Sequence, residues 1–139
     1  MRALSDALYA RMAEDVALTA LLGTWGGNPS IITFRPVPED ANLPMVLAAE
    51  TVADVDQDLI RARGREIQRD IAIYGKAAAD FDAVETGAER IRQLFHRQPL
   101  EIDGHHAASV TARGPVTAPA DPDETGRIVT LTLLIYETS

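Results

Sequence analysis

Three groups of side chains in this sequence have the types and spacing to do chemistry: the histidines, a knot of carboxylates among prolines, and alternating charges around position 60. His105 and His106 are adjacent, so on a strand they point to opposite faces and cannot chelate one metal together. With His96, Glu101 and Asp103 nearby a metal site can be drawn, but a polar turn leading into a strand explains the same residues. Asp121, Asp123 and Glu124 resemble part of a calcium loop, yet the ligand order, central glycine and terminal glutamate of an EF-hand are missing. No serine sits in a nucleophile elbow, and the Gly-Thr-Trp-Gly-Gly stretch at 23–27 lacks the lysine and Ser/Thr of a phosphate loop. The absence of cysteine removes thiol nucleophiles, disulfides, thiolate zinc sites and iron–sulfur clusters. The reading is of a non-enzyme with no catalytic residue, metal or cofactor.

The charges around position 60 suit assembly better than catalysis. Glu50, Asp54, Asp56 and Asp58 fall on one face of an extended strand, and Arg61, Arg63 and Arg65 follow a reversal near Leu59 and Ile60. Folding the two arms together sets opposite charges across a long hairpin. As a solvated ribbon its exposed ion pairs would each contribute at most about 1 kcal/mol. A long free strand edge, however, is something monomers avoid and oligomers use for pairing between subunits. Asp54, Asp56, Asp58, Arg61, Arg63 and Arg65 are therefore candidate interface residues. Trp25, the only tryptophan, sits in a glycine-rich loop where it either caps the core or anchors a partner.

The elements that position these groups follow from periodicity. Apolar residues from Leu4 to Leu22 step by three and four, giving an amphipathic helix in which Asp15 caps a second short turn and Gly23 is the stop. Short strands are predicted at 31–35, ended by Pro36 and Pro38, and at 43–52. Ile67, Ile71 and Ile73 define a strand at 66–74. Phe81, Val84, Ala88, Ile91, Leu94 and Phe95 mark a helix over 77–97 that Pro99 ends. Strands at 107–116 and 127–138 flank an acidic loop, and the odd face of the last one, Val129, Leu131, Leu133 and Ile135, is wholly apolar. The fold class expected is α+β: a mostly antiparallel sheet of about five strands, two helices packed on one face, and a long charged β-hairpin extension.

The 139 residues read as one domain with net charge −8 and a pI near 4.7. Such a chain is poorly suited to neutralising phosphates. The charge is uneven: −6 over residues 1–60, +2 over 61–75 and −4 over 76–139. No apolar run approaches the roughly 20 residues of a membrane span, and the start, Met-Arg-Ala-Leu-Ser-Asp, reads as mature cytoplasmic sequence.

The order of these elements resembles a known family. Leu4-Ser5-Asp6-Ala7-Leu8, the stretch from Asp15 to Gly23, the Phe34-Arg35-Pro36-Val37-Pro38 turn and Leu43-Pro44-Met45-Val46 are similar to the tail-terminator (tail completion) proteins of tailed phages and gene transfer agents. Arg69 to Tyr74, the helix containing Gly87-Ala88-Glu89-Arg90-Ile91, and Val129 to Leu133 continue the likeness. The resemblance implies a virion structural protein of the tail or neck, assembled in the bacterial host cytoplasm. It would form a homo-hexameric ring that caps the tail tube, stops its polymerisation and joins it to a head-side connector or stopper protein. Its partners would be itself, the tail tube protein and that connector, with DNA only as passing cargo and no membrane. The acidic excess would then keep phosphates from sticking to the channel wall. Alternatives are a connector or stopper of the same particle, or a small intracellular ligand-binding or enzymatic α+β domain with Trp25 and the histidines in a pocket.

Overall fold

In a computed structural model, residues 1–60 and 62–138 are described. The elements in chain order are α1 (Arg2–Ala13), α2 (Val16–Thr19), β1 (Thr24–Trp25), β2 (Asn28–Pro29), β3 (Ile31–Ile32), β4 (Met45–Asp56), β5 (Gly64–Lys76), α3 (Phe81–Phe95), β6 (Glu101–Ile102), β7 (His105–Thr117) and β8 (Glu124–Glu137). The class is α+β. Six strands form the main sheet in the order β3-β4-β5-β8-β7-β6, and β1 and β2 form a separate two-stranded ribbon. The sheet is antiparallel throughout except where β3 runs parallel to β4.

The core follows the predicted alternation. Val129, Leu131, Leu133 and Ile135 on β8, with Ile67, Ile71 and Ile73 on β5, are at most 1% exposed. They lie under Leu4, Leu8 and Met12 of α1 and Val84, Ala88, Ile91, Leu94 and Phe95 of α3. Gly87 lets α3 sit close to the sheet, since a Cβ there would fall 2.6 Å from Ile73 Cδ1. A smaller cluster, Ile32, Met45 and Leu47 with Trp25, Val37, Leu43 and Tyr74, packs on the opposite face. That face is fixed by register, because Met45 and Leu47 oppose Tyr74 and Ala72, the even positions of β5.

Several boundaries differ from the sequence reading for local reasons. The first helix divides as expected at Asp15, whose carboxylate accepts the Leu18 amide at 2.9 Å and caps α2. The divided helix brings the total among the described residues to three rather than two. The strand expected at 31–35 shrinks to Ile31–Ile32 at the sheet edge. β6 adds a short strand at the other edge, so among the described residues the sheet has six strands where about five were expected. The last helix starts at Phe81, not 77. β5 continues to Lys76, whose amide donates to the Asp80 carboxylate at 2.8 Å, and Ala78 takes a left-handed φ of 65° that interrupts a helix there.

Candidate functional site

The charged arms are the outer ends of β4 and β5. Asp54 opposes Ile67, Val55 opposes Glu66 and Asp56 opposes Arg65. Arg65 reaches diagonally to Asp54 with both Nε, at 3.0 Å from Oδ1, and Nη2 on Oδ2. The fork holds the Asp54 carboxyl below its ordinary pKa and the Arg65 guanidinium above its own, with the α-amino group adding a smaller pull on Asp54. Asp58 accepts the Gly64 amide at 3.2 Å, and Leu59 and Ala62 bridge across the reversal. Arg63 is exposed, and its carbonyl accepts the Glu137 amide at 2.9 Å. Arg61 lies outside the described residues.

Two features of this end depart from the sequence reading. Glu50 does not share a face with Asp54 and Asp56. Glu50 opposes Asp70 while Asp54 opposes Ile67, because an extra residue between Thr51 and Ala53 bulges β4 and switches the alternation. Glu50 instead pairs with Arg35. A second irregularity, between Leu47 and Glu50, frees the Ala48 carbonyl to accept Arg69 Nη2 at 2.6 Å. Nor do the arms stand alone. β8 pairs with β5 along its whole length, Gly64 to Lys76, whereas β3 covers β4 only at Val46 and Leu47. Among the described residues, the rest of the outer edge of β4 pairs with no strand.

This end also displays apolar groups to which the sequence reading gave no role, Leu59 and Ile60 being read there as the reversal and Val52 as the end of a strand. Val52, Val55, Leu59 and Ile60 are 56%, 54%, 60% and 103% exposed. The signal was available: two-residue hairpin turns favour Asn and Gly, so branched aliphatic residues at such a reversal call for another explanation.

At the other end of the same strands lies a cleft of about 550 Å³, floored by Leu43, Met45 and Leu47, walled by Tyr74 and rimmed by Asp121 and Glu124. The carboxylates of Asp121, Asp123 and Glu124 converge within 4.8 Å. Partial burial, then the two neighbouring acids, pushes the Glu124 carboxyl above its ordinary value. Burial likewise raises the Tyr74 hydroxyl.

The remaining candidates are structural in their contacts. Trp25 is half-buried against the smaller cluster, its ring 5.7 Å from Phe34 and its Nε1 donating to Asp40 Oδ1 at 3.0 Å. His96 Nδ1 accepts the Ala112 amide at 3.0 Å and ties the end of α3 to β7. His105 Nδ1 lies 2.9 Å from the Asp103 carbonyl. His105 and His106 oppose Glu137 and Tyr136, on opposite faces. Among the described residues, no histidine joins a group of three or more metal-ligating side chains.

The family profile described as Tail completion protein gp17 matches residues 6–135. The chain belongs to this family. It is a structural protein of the virion tail, not an enzyme. The fold of this tail completion protein is similar to a chain in the virion of a native gene transfer agent particle. The TM-score is 0.79 at 16% identity, over 96% of this chain and 94% of that one. Among curated proteins, none matches the sequence. No described helix is long and apolar enough to cross a membrane.

Proposed function

We propose that this tail completion protein forms a closed ring, of six copies by family resemblance, on the head-proximal end of the tail tube. The ring stops tube polymerisation, receives a head-side connector or stopper protein, and leaves a channel through which DNA passes. The reading is carried by the family match, which runs from α1 to β8 and so spans the fold. The net charge of −8 supports it, because like-signed walls gain nothing from displacing counterions on a passing phosphate backbone. The whole of residues 1–139 acts as one ring subunit. The outer ends of β4 and β5, a long charged hairpin bearing Asp54, Asp56, Asp58, Arg63 and Arg65 with Arg61 in sequence between them, supply subunit contacts. Trp25 buttresses the surface beside Phe34 that faces a partner.

Electron microscopy of tails produced without heads tests the assignment. The labelled protein should sit as a ring on one end of each bare tube, and cells lacking it should make tubes of uncontrolled length. Its absence from bare tubes, with presence on isolated heads, would instead identify a connector or stopper.

A further inference from the structure

The two ends of β4 and β5 carry complementary surfaces that cannot meet within one molecule. One end projects Leu59 and Ile60, the latter fully exposed. The other end opens the cleft floored by Leu43, Met45 and Leu47, with carboxylates on its rim. The thirteen residues of β5 run between these ends, a separation of about 40 Å along an extended strand. A rigid sheet of this length cannot bring the tip back to its own cleft.

We propose that the tip of one copy inserts into the cleft of the next. Leu59 and Ile60 lie on the apolar floor, and Arg63 meets Asp121, Asp123 and Glu124. The ring reading above is the premise; the added content is which surfaces close it. Volume permits the contact, since about 550 Å³ is within the roughly 300–1,000 Å³ of clefts that enclose small ligands. Charge favours it as well. Asp54 is engaged by Arg65 and Asp58 by the Gly64 amide, whereas Arg63 has no carboxylate within 4.0 Å among the described residues. The segment 61–75 carries +2 in a chain of −8, so it is the stretch that a second acidic copy repels least. The crowded carboxylates of Asp121, Asp123 and Glu124 form no ion pair among the described residues and gain from an incoming guanidinium. Two different patches in contact make a heterologous interface, which generates a ring when the rotation closes.

The absence of cysteine makes the test clean. The double variant Ile60→Cys with Ala120→Cys, both at exposed positions, is assembled into tails and oxidised. Because a disulfide needs Cβ atoms about 4 Å apart, same-chain bonding is excluded. A ladder of cross-linked dimers and higher species is expected, and neither single variant should give it. Ile60→Asp should leave the melting temperature unchanged while lowering incorporation by about tenfold or more. Arg63→Asp should weaken incorporation, and adding Asp121→Arg should recover it. Incorporated double-cysteine subunits without a ladder, or normal incorporation of Ile60→Asp, would overturn the tip-in-cleft contact and leave the ring intact. Wild-type protein missing from tails and monomeric at every concentration would overturn the ring itself.

Discussion

Arg69 offers a sharp test of how the charged end of the sheet is held in register. Its side chain is 2% exposed between the sheet and α1. Nη2 donates to the Ala48 carbonyl at 2.6 Å and to Ser5 Oγ at 3.1 Å, while Nε has no partner among the described residues. Burial pulls its pKa below the ordinary value, opposed by the charge of Glu50. Arg69→Ala removes hydrogen bonds from a charged donor, worth roughly 1.5–3 kcal/mol, and strands a buried carbonyl at about 1–3 kcal/mol. It also loses the packing of the aliphatic stem. Against this, deleting a buried ion that forms no salt bridge among the described residues recovers several kcal/mol of hydration in order of magnitude. The balance is a net loss of about 2–4 kcal/mol for Arg69→Ala. Arg69→Met keeps the stem and should lose about 1–2 kcal/mol, mostly the orphaned Ala48 oxygen. Equilibrium urea unfolding, followed by the fluorescence of the single tryptophan, measures both. If Arg69→Met proves more stable than the parent by 1 kcal/mol or more, charge burial outweighs the bonds and the reasoning fails. A functional signature accompanies the thermodynamic one. Releasing the bulge that Arg69 holds allows β4 to slip, and a one-residue slip carries Asp54 and Asp56 to the other face.

Three further outcomes are expected. Arg90, then the Leu18 amide, hold the Asp15 carboxyl below its ordinary value of 3.8. Its contribution is therefore complete above that value and disappears as pH falls through the lower folded one. Asp15→Ala should cost about 1 kcal/mol at neutral pH through the lost cap, and the gap to the parent should narrow steadily in urea titrations taken below pH 3.8. Phe95→Ala, at a site 1% exposed, should cost about 3–5 kcal/mol by the same measurement; a loss under 1 kcal/mol would mean the site collapses. At Gly64 a Cβ would run into the Gln57 carbonyl and the Tyr136 ring, so Gly64→Ala should cost about 1–3 kcal/mol and expose hairpin-root amides to hydrogen exchange.

The periodic elements were legible because each is a local pattern answered by a single core. The odd face of β8 and the apolar stripe of α3 needed no tertiary information beyond one side being buried. The family, too, could be read from element order, because the order itself is the signature. The side on which Glu50 sits could not be read. It depends on an extra residue at 51–53 in the strand whose neighbouring bulge Arg69 holds, and Arg69 and its acceptor are twenty-one residues apart. The cleft was hidden for the same reason, being assembled from residues 35–47, 74 and 119–124. The tip was visible in sequence but read as a turn, since exposure of Leu59 and Ile60 is a property of the folded sheet.

Strand order also sets a clock on synthesis. β8, the last element, lies between β5 and β7 and supplies both with their central partner. Until residues 124–137 leave the ribosome, two thirteen-residue strands each lack a neighbour, Gly64 lacks its Tyr136 counterpart and the Arg63 carbonyl lacks the Glu137 amide. Pairings this distant in sequence form late and slowly. Residue 124 is also a rim carboxylate of the cleft, so a nascent chain lacks part of both ends at once. In the ring proposed above, competence to join a neighbour is thereby withheld from partial products and conferred in one step when β8 is complete.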